Sequence, residues 1–220
     1  MKINSIFESI SGESGPVIRQ GEWTTFIRTQ GCNLCCNYCD TGNAQDFKQG
    51  LEMTIGEILG RCYTKNVLIT GGEPLAQSKT TDLIVALANA GHVIQIETNG
   101  TYPPPISHSN VGYAMDIKCP CSGEAFRMPS PNDLEKEYLQ KGANLDLKFV
   151  VASMADVGFA LPYVEKMRNQ IGRAVFSPMY EGQNINKGID PADIIEAVRR
   201  IHMSNKLVIS LQLHKILNLA

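Results

Sequence analysis

Four of the seven cysteines of this 220-residue chain lie close together, at Cys32, Cys35, Cys36 and Cys39. Cys35 and Cys36 are adjacent, which disfavours a simple disulfide pairing because the Cβ vectors of bridged cysteines must point at one another. Cys32, Cys36 and Cys39 stand in C-x3-C-x2-C spacing, short enough for one loop to wrap three thiolates around a cubic iron–sulfur cluster. Three ligands for four irons leave one iron open. The spacing therefore predicts a [4Fe–4S] centre that can bind a further group.

Two other uses of the cysteines remain open, a structural zinc site that employs all four of them and a redox pair of the C-x2-C kind. Zinc sites usually join two knuckles across a longer spacer. Here Cys119 and Cys121 are separated by a single residue, and they lie far in sequence from the four clustered cysteines. Cys35 is expected to pack or to face solvent, and Cys62 is expected to be a small core residue.

Short apolar segments alternate with helix-like segments along most of the chain. Buried strands are predicted at 24–28, 66–70, 93–97, 111–117, 145–151 and 174–177. Helices are predicted at 54–62, 80–90, 131–141, 154–169 and 191–202, with a capping box at Thr54 and Glu57 and a C-terminal glycine at Gly91. This alternation predicts one α/β domain over residues 1–220, with a cluster loop near 30–41. The chain is shorter than a full barrel of ~250 residues, so we expect a partial TIM-type barrel of about six βα units with parallel strands.

Composition and charge indicate which partners and which compartment to expect for the protein. Charged residues make up 19% of the chain and the formal net charge is −2, which argues against nucleic acid or an acidic membrane as a partner. The N-terminal residues lack the apolar core of a signal peptide, and no apolar run is long enough to span a bilayer. We therefore expect a cytoplasmic protein, in which clustered cysteines stay reduced and bind metal or act in catalysis.

Unusual residues follow several predicted strands, where the site of a parallel α/β fold is expected. The segments are 70–74 (TGGEP), 97–100 (ETNG), Lys118 and 177–180 (SPMY). The two glycines of TGGEP would let the backbone approach a ligand closely. Each segment taken alone is also compatible with an ordinary turn or a solvated polar residue.

The cysteine spacing, with Tyr38 just before the last cysteine, resembles the signature of the radical S-adenosylmethionine superfamily. The Gly71-Gly72-Glu73-Pro74 segment one βα unit later resembles a second motif of that superfamily. The resemblance implies that the open iron chelates S-adenosylmethionine and that an electron passed through the cluster yields a 5′-deoxyadenosyl radical. It also implies that the backbone and glutamate of the second motif meet the amino group of the methionine moiety.

Further stretches resemble the 7-carboxy-7-deazaguanine synthase family. They are 7–13 (FESISGE), 25–28 (TFIR), 39–41 (CDT), 97–101 (ETNGT) and 211–217 (LQLHKIL). The resemblance implies that 6-carboxy-5,6,7,8-tetrahydropterin loses a hydrogen atom from C6, contracts its pyrazine ring and releases ammonia, on the path to queuosine and related deazapurines. It also implies Mg²⁺, a homodimer, and an electron donor such as flavodoxin or ferredoxin.

The resemblance assigns roles residue by residue. The ligands of the radical-generating cluster would be Cys32, Cys36 and Cys39. The S-adenosylmethionine contacts would be Tyr38, Cys39, Asp40, Gly72, Asp116, Ile117, Lys118, Ser177, Pro178, Met179 and Tyr180. The substrate contacts would be Ile10, Ser11, Gly12, Arg28, Thr70 and the C-terminal carboxylate of Ala220, and Thr41 would bind Mg²⁺.

These assignments suit the chemistry of a pterin. A carboxylate prefers a guanidinium fork such as that of Arg28, and the pyrimidine edge would be met by Glu13, Glu97 or backbone groups. Mg²⁺, a hard ion, suits the Thr41 hydroxyl. Simpler roles stay open: Arg28 could pair with Glu13 or Glu97, Thr41 could cap a turn, and His214 could be structural.

The chain departs from the family pattern at four places. Ser11 stands where Gln is usual, Ser14 where Gly is usual, 116–117 where Ser-Pro is common, and Ser177 where Gln is common. An Asp-x-Lys segment at a strand end also occurs in activases that place a glycyl radical on a partner protein. That activity is the alternative enzyme, and a zinc-stabilised binding module without catalysis is the alternative of another class.

Overall fold

This computed structural model describes residues 1–138, 142–181, 184–185, 189–199 and 206–218. Within that part of the chain, the framework is a nine-stranded sheet. The strands are β1 (Lys2–Ile10), β2 (Trp23–Thr29), β3 (Leu51–Glu52), β4 (Asn66–Gly71), β5 (Val93–Thr98), β6 (Val111–Asp116), β7 (Asn144–Val151), β8 (Ala174–Pro178), β9 (Tyr180–Glu181), β10 (Asn184–Ile185) and β11 (Leu207–Ile209). The helices are α1 (Ile55–Leu59), α2 (Thr80–Asn89), α3 (Pro131–Tyr138), α4 (Met154–Met167), α5 (Pro191–Val198) and α6 (Leu213–Ile216). Strands β9 and β10 form a separate hairpin.

The sheet order is β11-β8-β7-β6-β5-β4-β2-β1-β3, and every pair from β2 to β11 is parallel. Helix α2 packs on β5, α4 on β7 and α5 on β11. Because β11 and β3 are separate edges, the sheet is curved but not closed. The predicted α/β partial barrel is confirmed, and the six predicted strands match β2 and β4 to β8 with ends that differ by one residue at most.

The expectation of parallel strands throughout needs a correction at one edge. Strand β1 pairs antiparallel with both β2 and β3. Strand β1 was not predicted because polar residues interrupt its apolar pattern, as is common near a sheet edge, and because a register shift between Ile3 and Ser5 breaks its alternation. The short strand β11 was also missed.

The five predicted helices are present, but α1 ends at Leu59 and not at residue 62 as predicted. Thr54 and Glu57 form the expected capping box, and α1 ends at Leu59 before the Gly60 cap. Gly91 after α2 has a φ of +86°, a conformation that favours glycine. Residues 139–141 and 200–202 of the predicted helices lie outside the described residues. None of the described helices is long and apolar enough to cross a bilayer.

Strand β7 illustrates how the sheet separates the core from the site. Leu147 and Phe149 belong to the buried core that the helices cover. The alternate residues Asp146, Lys148 and Val150 point to the opposite, inner face, because successive side chains of a strand alternate. Lys148 and Val150 line a cavity there. A barrel strand thus buries apolar residues outward while its inner face carries the polar groups.

The loop of residues 11–22, here called the floor loop, joins β1 to β2 beneath the barrel. The Ile18 backbone N–H donates to the Gln95 side chain of β5 (3.1 Å). Arg173, just before β8, donates to the hydroxyl of Ser14 (3.0 Å) and to the carbonyl of Gly15. Arg173 is itself held by the buried Asp146 carboxylate (2.6 Å). These contacts hold residues 14–18 of the floor loop against the sheet.

Gly112 in β6 provides a test of the floor loop. A Cβ atom at this position would lie 2.7 Å from Pro16 Cγ and 2.9 Å from Val17 Cγ2. We expect Gly112→Ala to lower the free energy of unfolding by about 1–3 kcal/mol, because an added methyl group overpacks a filled space. Denaturant unfolding measures the change.

Gly158, exposed in α4, is the matched control, since a Cβ atom there would meet nothing within 4 Å. Gly158→Ala should leave stability unchanged or raise it by up to about 1 kcal/mol. Equal effects of the two substitutions would contradict the packing of the floor loop under β6.

Candidate functional site

A cavity of about 980 Å³ occupies the inner side of the sheet. Its upper wall is the loop that carries Cys32, Cys36 and Cys39, and its lower wall includes Ile10, at the end of β1, and Glu13 in the floor loop. Arg28, Thr70, Glu97, Asp116 and Lys148, from five neighbouring strands, line the space between. The strand ends that the sequence singled out therefore converge on one site.

The three cysteines of the C-x3-C-x2-C pattern all line the cavity, whereas Cys35 is exposed and lies outside its lining. The Cys35 backbone N–H donates to the Glu124 carboxylate (2.7 Å), which turns this residue away from its neighbours. Backbone bonds hold the loop at Cys32 (3.0 Å to the Gln45 carbonyl) and at Asn37 (2.9 Å to the Ser122 carbonyl). Of the four cysteines in this loop, three are thus presented to the cavity, and Cys121 lines the cavity from a separate segment.

Burial raises the pKa of the Cys32 thiol and raises that of Cys36 to about 11. Loading of a metal centre must therefore release protons from these thiols. Among the described residues, no three Cys, His, Asp or Glu side chains are arranged to hold a single metal ion. The donor set fits a [4Fe–4S] cluster, because each cysteine of such a cluster binds a different iron.

The glycines of the TGGEP segment bring β4 against the cysteine loop. Gly71 has a φ of +133°, and a Cβ atom at Gly72 would collide with the Gly31 backbone. The Glu73 N–H donates to the Gly31 carbonyl (2.8 Å). Only glycine permits this approach of two backbones. Gly72 lies in the cavity wall.

Glu73 differs from the contact that the resemblance implied. Its side chain is fully buried and accepts hydrogen bonds from Thr98 Oγ1 (2.8 Å), Asn99 N (2.7 Å) and Leu75 N (2.9 Å). Burial raises the pKa of its carboxyl group in spite of these bonds. The Glu73 carboxylate therefore ties the end of β4 to the end of β5 and does not line the cavity.

Tyr38, Asp116 and Lys118 form a polar wall beside the cysteines. Lys118 Nζ lies 2.9 Å from Asp116 Oδ2 and 5.7 Å from the centroid of the Tyr38 ring. Within the described part of the chain, the Tyr38 hydroxyl and Asp116 Oδ1 are buried without a hydrogen-bond partner. Unsatisfied buried polar atoms are costly unless a ligand or water meets them. This wall therefore fits a polar cofactor such as S-adenosylmethionine.

The remaining residues assigned to S-adenosylmethionine divide into two groups. Met179 and Tyr180 line the cavity, as do Cys39 and Asp40. Ile117, Ser177 and Pro178 are buried beside the strand ends and lie outside the lining. The roles of all these residues stay predictions.

The residues assigned to substrate also divide. Ile10, Gly12, Arg28 and Thr70 line the cavity. Ser11 is fully buried and its hydroxyl donates to the Glu13 carbonyl (2.7 Å), so that its side chain supports the floor loop from within. Ala220 lies outside the described residues.

Arg28 does not form the ion pair that was considered from the sequence. None of the described carboxylates lies within ion-pair distance of its guanidinium, whose central carbon is 5.7 Å from the centroid of the Phe7 ring. Glu13 pairs instead with Lys148, and Glu97 accepts a hydrogen bond from Thr70 Oγ1 (3.0 Å). The Arg28 side chain is thus a cation in the cavity wall.

Thr41 lines the cavity next to the cysteine loop. Its hydroxyl lies 3.5 Å from the Gly71 carbonyl and 3.8 Å from Cys39 Sγ. It makes no side-chain capping bond to the short 3-10 turn Gly42–Ala44, so the simpler role as a cap is not the one that the structure has.

Lys148 is a site residue that the sequence analysis missed. Its Nζ contacts Glu13 Oε2 and lies 3.8 Å from Asp116 Oδ2. The signal was present in the sequence, because a single lysine interrupts the otherwise buried strand LDLKFVV. A buried lysine requires a carboxylate partner, and that requirement could have placed it in the site.

Glu13 and Glu97 share the cavity, but their pKa values are shifted in opposite directions. Burial opposes the ionisation of Glu13, yet the Lys148 ammonium and a hydrogen bond from Gln212 hold its pKa below the usual value. Burial, followed by the charge of Glu13, raises the pKa of Glu97. Two neighbouring carboxyl groups whose pKa values are pushed apart favour one ionised and one neutral form.

Residues 210–218, here called the C-terminal strap, cover the open side of the barrel. Gln212 Nε2 donates to Glu13 Oε1 (2.7 Å), and the Leu213 N–H donates to the Gly12 carbonyl (2.9 Å). Lys215 Nζ lies 3.2 Å from Asp40 Oδ2, and His214 Nε2 lies 3.9 Å from the same atom. The strap therefore joins the floor loop to the cysteine loop across the cavity.

The cysteine assignment has a direct test. Cys36→Ala should abolish cluster binding, because one of three ligands is lost, whereas Cys35→Ala should retain it. Iron and sulfide content after anaerobic reconstitution, with the visible absorbance of the cluster, measures the difference. Loss of the cluster in the Cys35→Ala protein would show that the ligand set is wrong.

Comparisons with known proteins identify the family of the chain. The sequence model described as the Radical SAM superfamily matches residues 26–107. The 7-carboxy-7-deazaguanine synthase of Methanospirillum hungatei is 35% identical over 100% of this chain and 86% of the relative. The synthase of Clostridium acetobutylicum is 33% identical over 98% of this chain and 95% of the relative.

Solved structures share the fold. QueE from Escherichia coli superposes with a TM-score of 0.63 at 21% identity, covering 96% of this chain and 93% of that one. Streptococcus suis SuiB bound to S-adenosylmethionine gives a TM-score of 0.59 at 16% identity, over 83% of this chain and 48% of that one. The expected family is confirmed: the chain belongs to the 7-carboxy-7-deazaguanine synthase family of radical S-adenosylmethionine enzymes.

Proposed function

We propose that the chain converts 6-carboxy-5,6,7,8-tetrahydropterin to 7-carboxy-7-deazaguanine with release of ammonia. The observation that carries this proposal is the single cavity in which three cysteines face an arginine and a lysine-bound glutamate. Membership of the family implies a [4Fe–4S] cluster and S-adenosylmethionine, for which the cysteines and the polar wall of Tyr38, Asp116 and Lys118 offer ligands. When bound, these cofactors supply a 5′-deoxyadenosyl radical that removes a hydrogen atom from C6.

The chain's own residues would orient the pterin. The Arg28 guanidinium, free of a carboxylate partner among the described residues, suits the substrate carboxylate because it can donate two parallel hydrogen bonds. The Glu13 carboxylate suits the 2-amino-4-oxopyrimidine edge, whose neighbouring N–H groups need an ionised acceptor. Glu97, held by Thr70, lies in the same wall and in its neutral form can donate or relay a proton.

The overall reaction is balanced without an added oxidant or reductant, since the product differs from the substrate only by the elements of ammonia. The protein must therefore hold the substrate while protons move from carbon to the departing nitrogen. A cavity crossed at its open side by the C-terminal strap and lined by two carboxyl groups whose pKa values are shifted in opposite directions supports this chemistry. Exclusion of water also protects a radical from side reactions.

Three finer assignments belong to the same proposal. Mg²⁺ would bind the Thr41 hydroxyl, which lines the cavity and caps no turn. An electron carrier such as flavodoxin or ferredoxin would approach the cysteine loop, where Cys39 is exposed. The active form would be a homodimer, as the family resemblance implies.

The two alternatives from the sequence are less well supported. A glycyl-radical activase needs an open rim for a loop of its partner, whereas here the C-terminal strap bonds to the floor loop and lies against Asp40 of the cysteine loop. A zinc module is not expected in a chain that is similar over nearly its full length to 7-carboxy-7-deazaguanine synthases.

Anaerobic turnover tests the proposal. The cluster-loaded protein with S-adenosylmethionine and a reductant should form the deazaguanine and ammonia in equal amounts. Arg28→Met should raise the KM for the pterin roughly 10- to 100-fold, because a charged hydrogen-bonding partner of its carboxylate is lost.

Arg61→Met is the control, because Arg61 is exposed and remote from the cavity lining. Its KM should equal that of the unmodified protein. Protein with a full cluster and bound S-adenosylmethionine that leaves the pterin unchanged would refute the proposed function.

A further inference from the structure

Lys148 occupies a position in the cavity that the proposed chemistry does not yet use. It lies on the inner face of β7, and its side chain is 14% exposed. Its ammonium contacts Glu13 of the floor loop on one side and lies 3.8 Å from Asp116 of β6 on the other. Asp116 and Lys148 are register partners across the two strands. Lys148 therefore stands between the wall assigned to the cofactor and the group assigned to the pterin.

We propose that Lys148 is a positioning residue for substrate, which keeps the Glu13 carboxylate ionised and directed at the 2-amino-4-oxopyrimidine edge. The inference rests on the proposed function, since it deepens the role of one part of the same site. It assigns to Lys148 neither proton transfer nor cofactor binding. Its effect reaches the substrate only through Glu13.

The groups around Glu13 explain why a cation is needed there. Lys148 approaches from β7, while Gln212 and His214 approach from the C-terminal strap, and Glu97 faces it from β5. Among these four groups, Lys148 is the one that forms an ion pair with Glu13, whereas Gln212 donates a hydrogen bond without bringing a charge. Without Lys148, two buried carboxyl groups would share one cavity, and they would resist ionising together.

The neighbouring carboxylates also stabilise the charge of Lys148. Burial disfavours its charge, but the nearby carboxylates of Glu13 and Asp116 hold the pKa of Lys148 above its usual value. The pair is therefore a stable ion pair in which each charge depends on the other. Removing one partner leaves the other as an uncompensated buried charge.

The cofactor wall should be much less sensitive to Lys148. Asp116 keeps a closer partner in Lys118, at 2.9 Å compared with 3.8 Å for Lys148. Loss of Lys148 should thus impair pterin binding and spare the cluster and S-adenosylmethionine. This split separates a positioning role from a general loss of structure.

The experiment compares Lys148→Met, Lys148→Arg and Glu13→Gln in the full-length, cluster-loaded protein. The KM and the equilibrium affinity for the pterin are measured from about pH 6 to about pH 9. The unmodified protein should show little pH dependence from Glu13, because its pKa lies below the usual value and it stays ionised throughout. Lys148→Met should weaken pterin binding at least about tenfold near neutral pH.

The direction in which pterin binding changes with pH tests whether Lys148 acts through the charge of Glu13. In Lys148→Met the pKa of Glu13 rises, so that pterin binding should recover as the pH increases and Glu13 loses its proton. Glu13→Gln should bind weakly at every pH, and Lys148→Arg should restore most of the affinity. The Lys148→Met/Glu13→Gln double substitution should match Glu13→Gln, because the two residues act through one interaction.

Unchanged binding in either Lys148→Met or Glu13→Gln would overturn the inference, as would an equally weak but pH-independent Lys148→Met protein. If the Lys148→Met protein does not load a cluster, the double substitution is measured in its place. An affinity for the pterin that is a further tenfold weaker than that of Glu13→Gln would then overturn the inference. Pterin that binds to the unmodified protein without turnover would refute the proposed function alone. Absence of binding to the unmodified protein would refute both.

Discussion

The close approach of two backbones at Gly31 and Gly72 is the constraint on which the site depends. No side chain fits between them, and the Glu73 N–H bonds to the Gly31 carbonyl at 2.8 Å. This contact docks the cysteine loop on the end of β4, and the buried Glu73 carboxylate then joins β4 to β5 through Thr98 and Asn99. The loop that carries the thiols is thereby fixed to the strands that carry the ligand-binding wall. A rigid position for the cluster follows from backbone packing.

The second requirement is a balance of charge inside the barrel. The wall of the cavity carries Glu13, Glu97 and Asp116 together with Lys118 and Lys148. Each of these lysines is paired with a carboxylate, while burial, followed by the charge of Glu13, raises the pKa of Glu97. Arg28 then remains as a positive charge without a described partner, which suits a ligand that brings its own carboxylate. The strap and the floor loop close this charged interior from the side and from below.

The sequence predicted those parts of the fold that depend on local pattern. Strands buried on both faces read as apolar runs, which is why β2 and β4 to β8 were found nearly to the residue. Strand β1, the second strand from the edge, was missed because its pattern is mixed and its pairing with β2 has a register shift. The floor loop could not have been predicted, since its contacts join distant residues, such as Ile18 and Gln95, 77 positions apart, and Gly15 and Arg173, 158 positions apart. Cysteine spacing found the ligand loop because its ligands are close in sequence, whereas the Glu13–Lys148 pair joins two distant segments and needs the fold to be recognised.

The central claim is that three cysteines leave one iron of the cluster free to bind S-adenosylmethionine. Electron–nuclear double resonance of the reduced cluster, with S-adenosylmethionine that carries a nitrogen label in its amino group, tests this claim most directly. The account predicts a hyperfine coupling between the label and the cluster. A reduced [4Fe–4S] signal that is unchanged by the labelled cofactor, with all four irons bound by protein side chains, would contradict it.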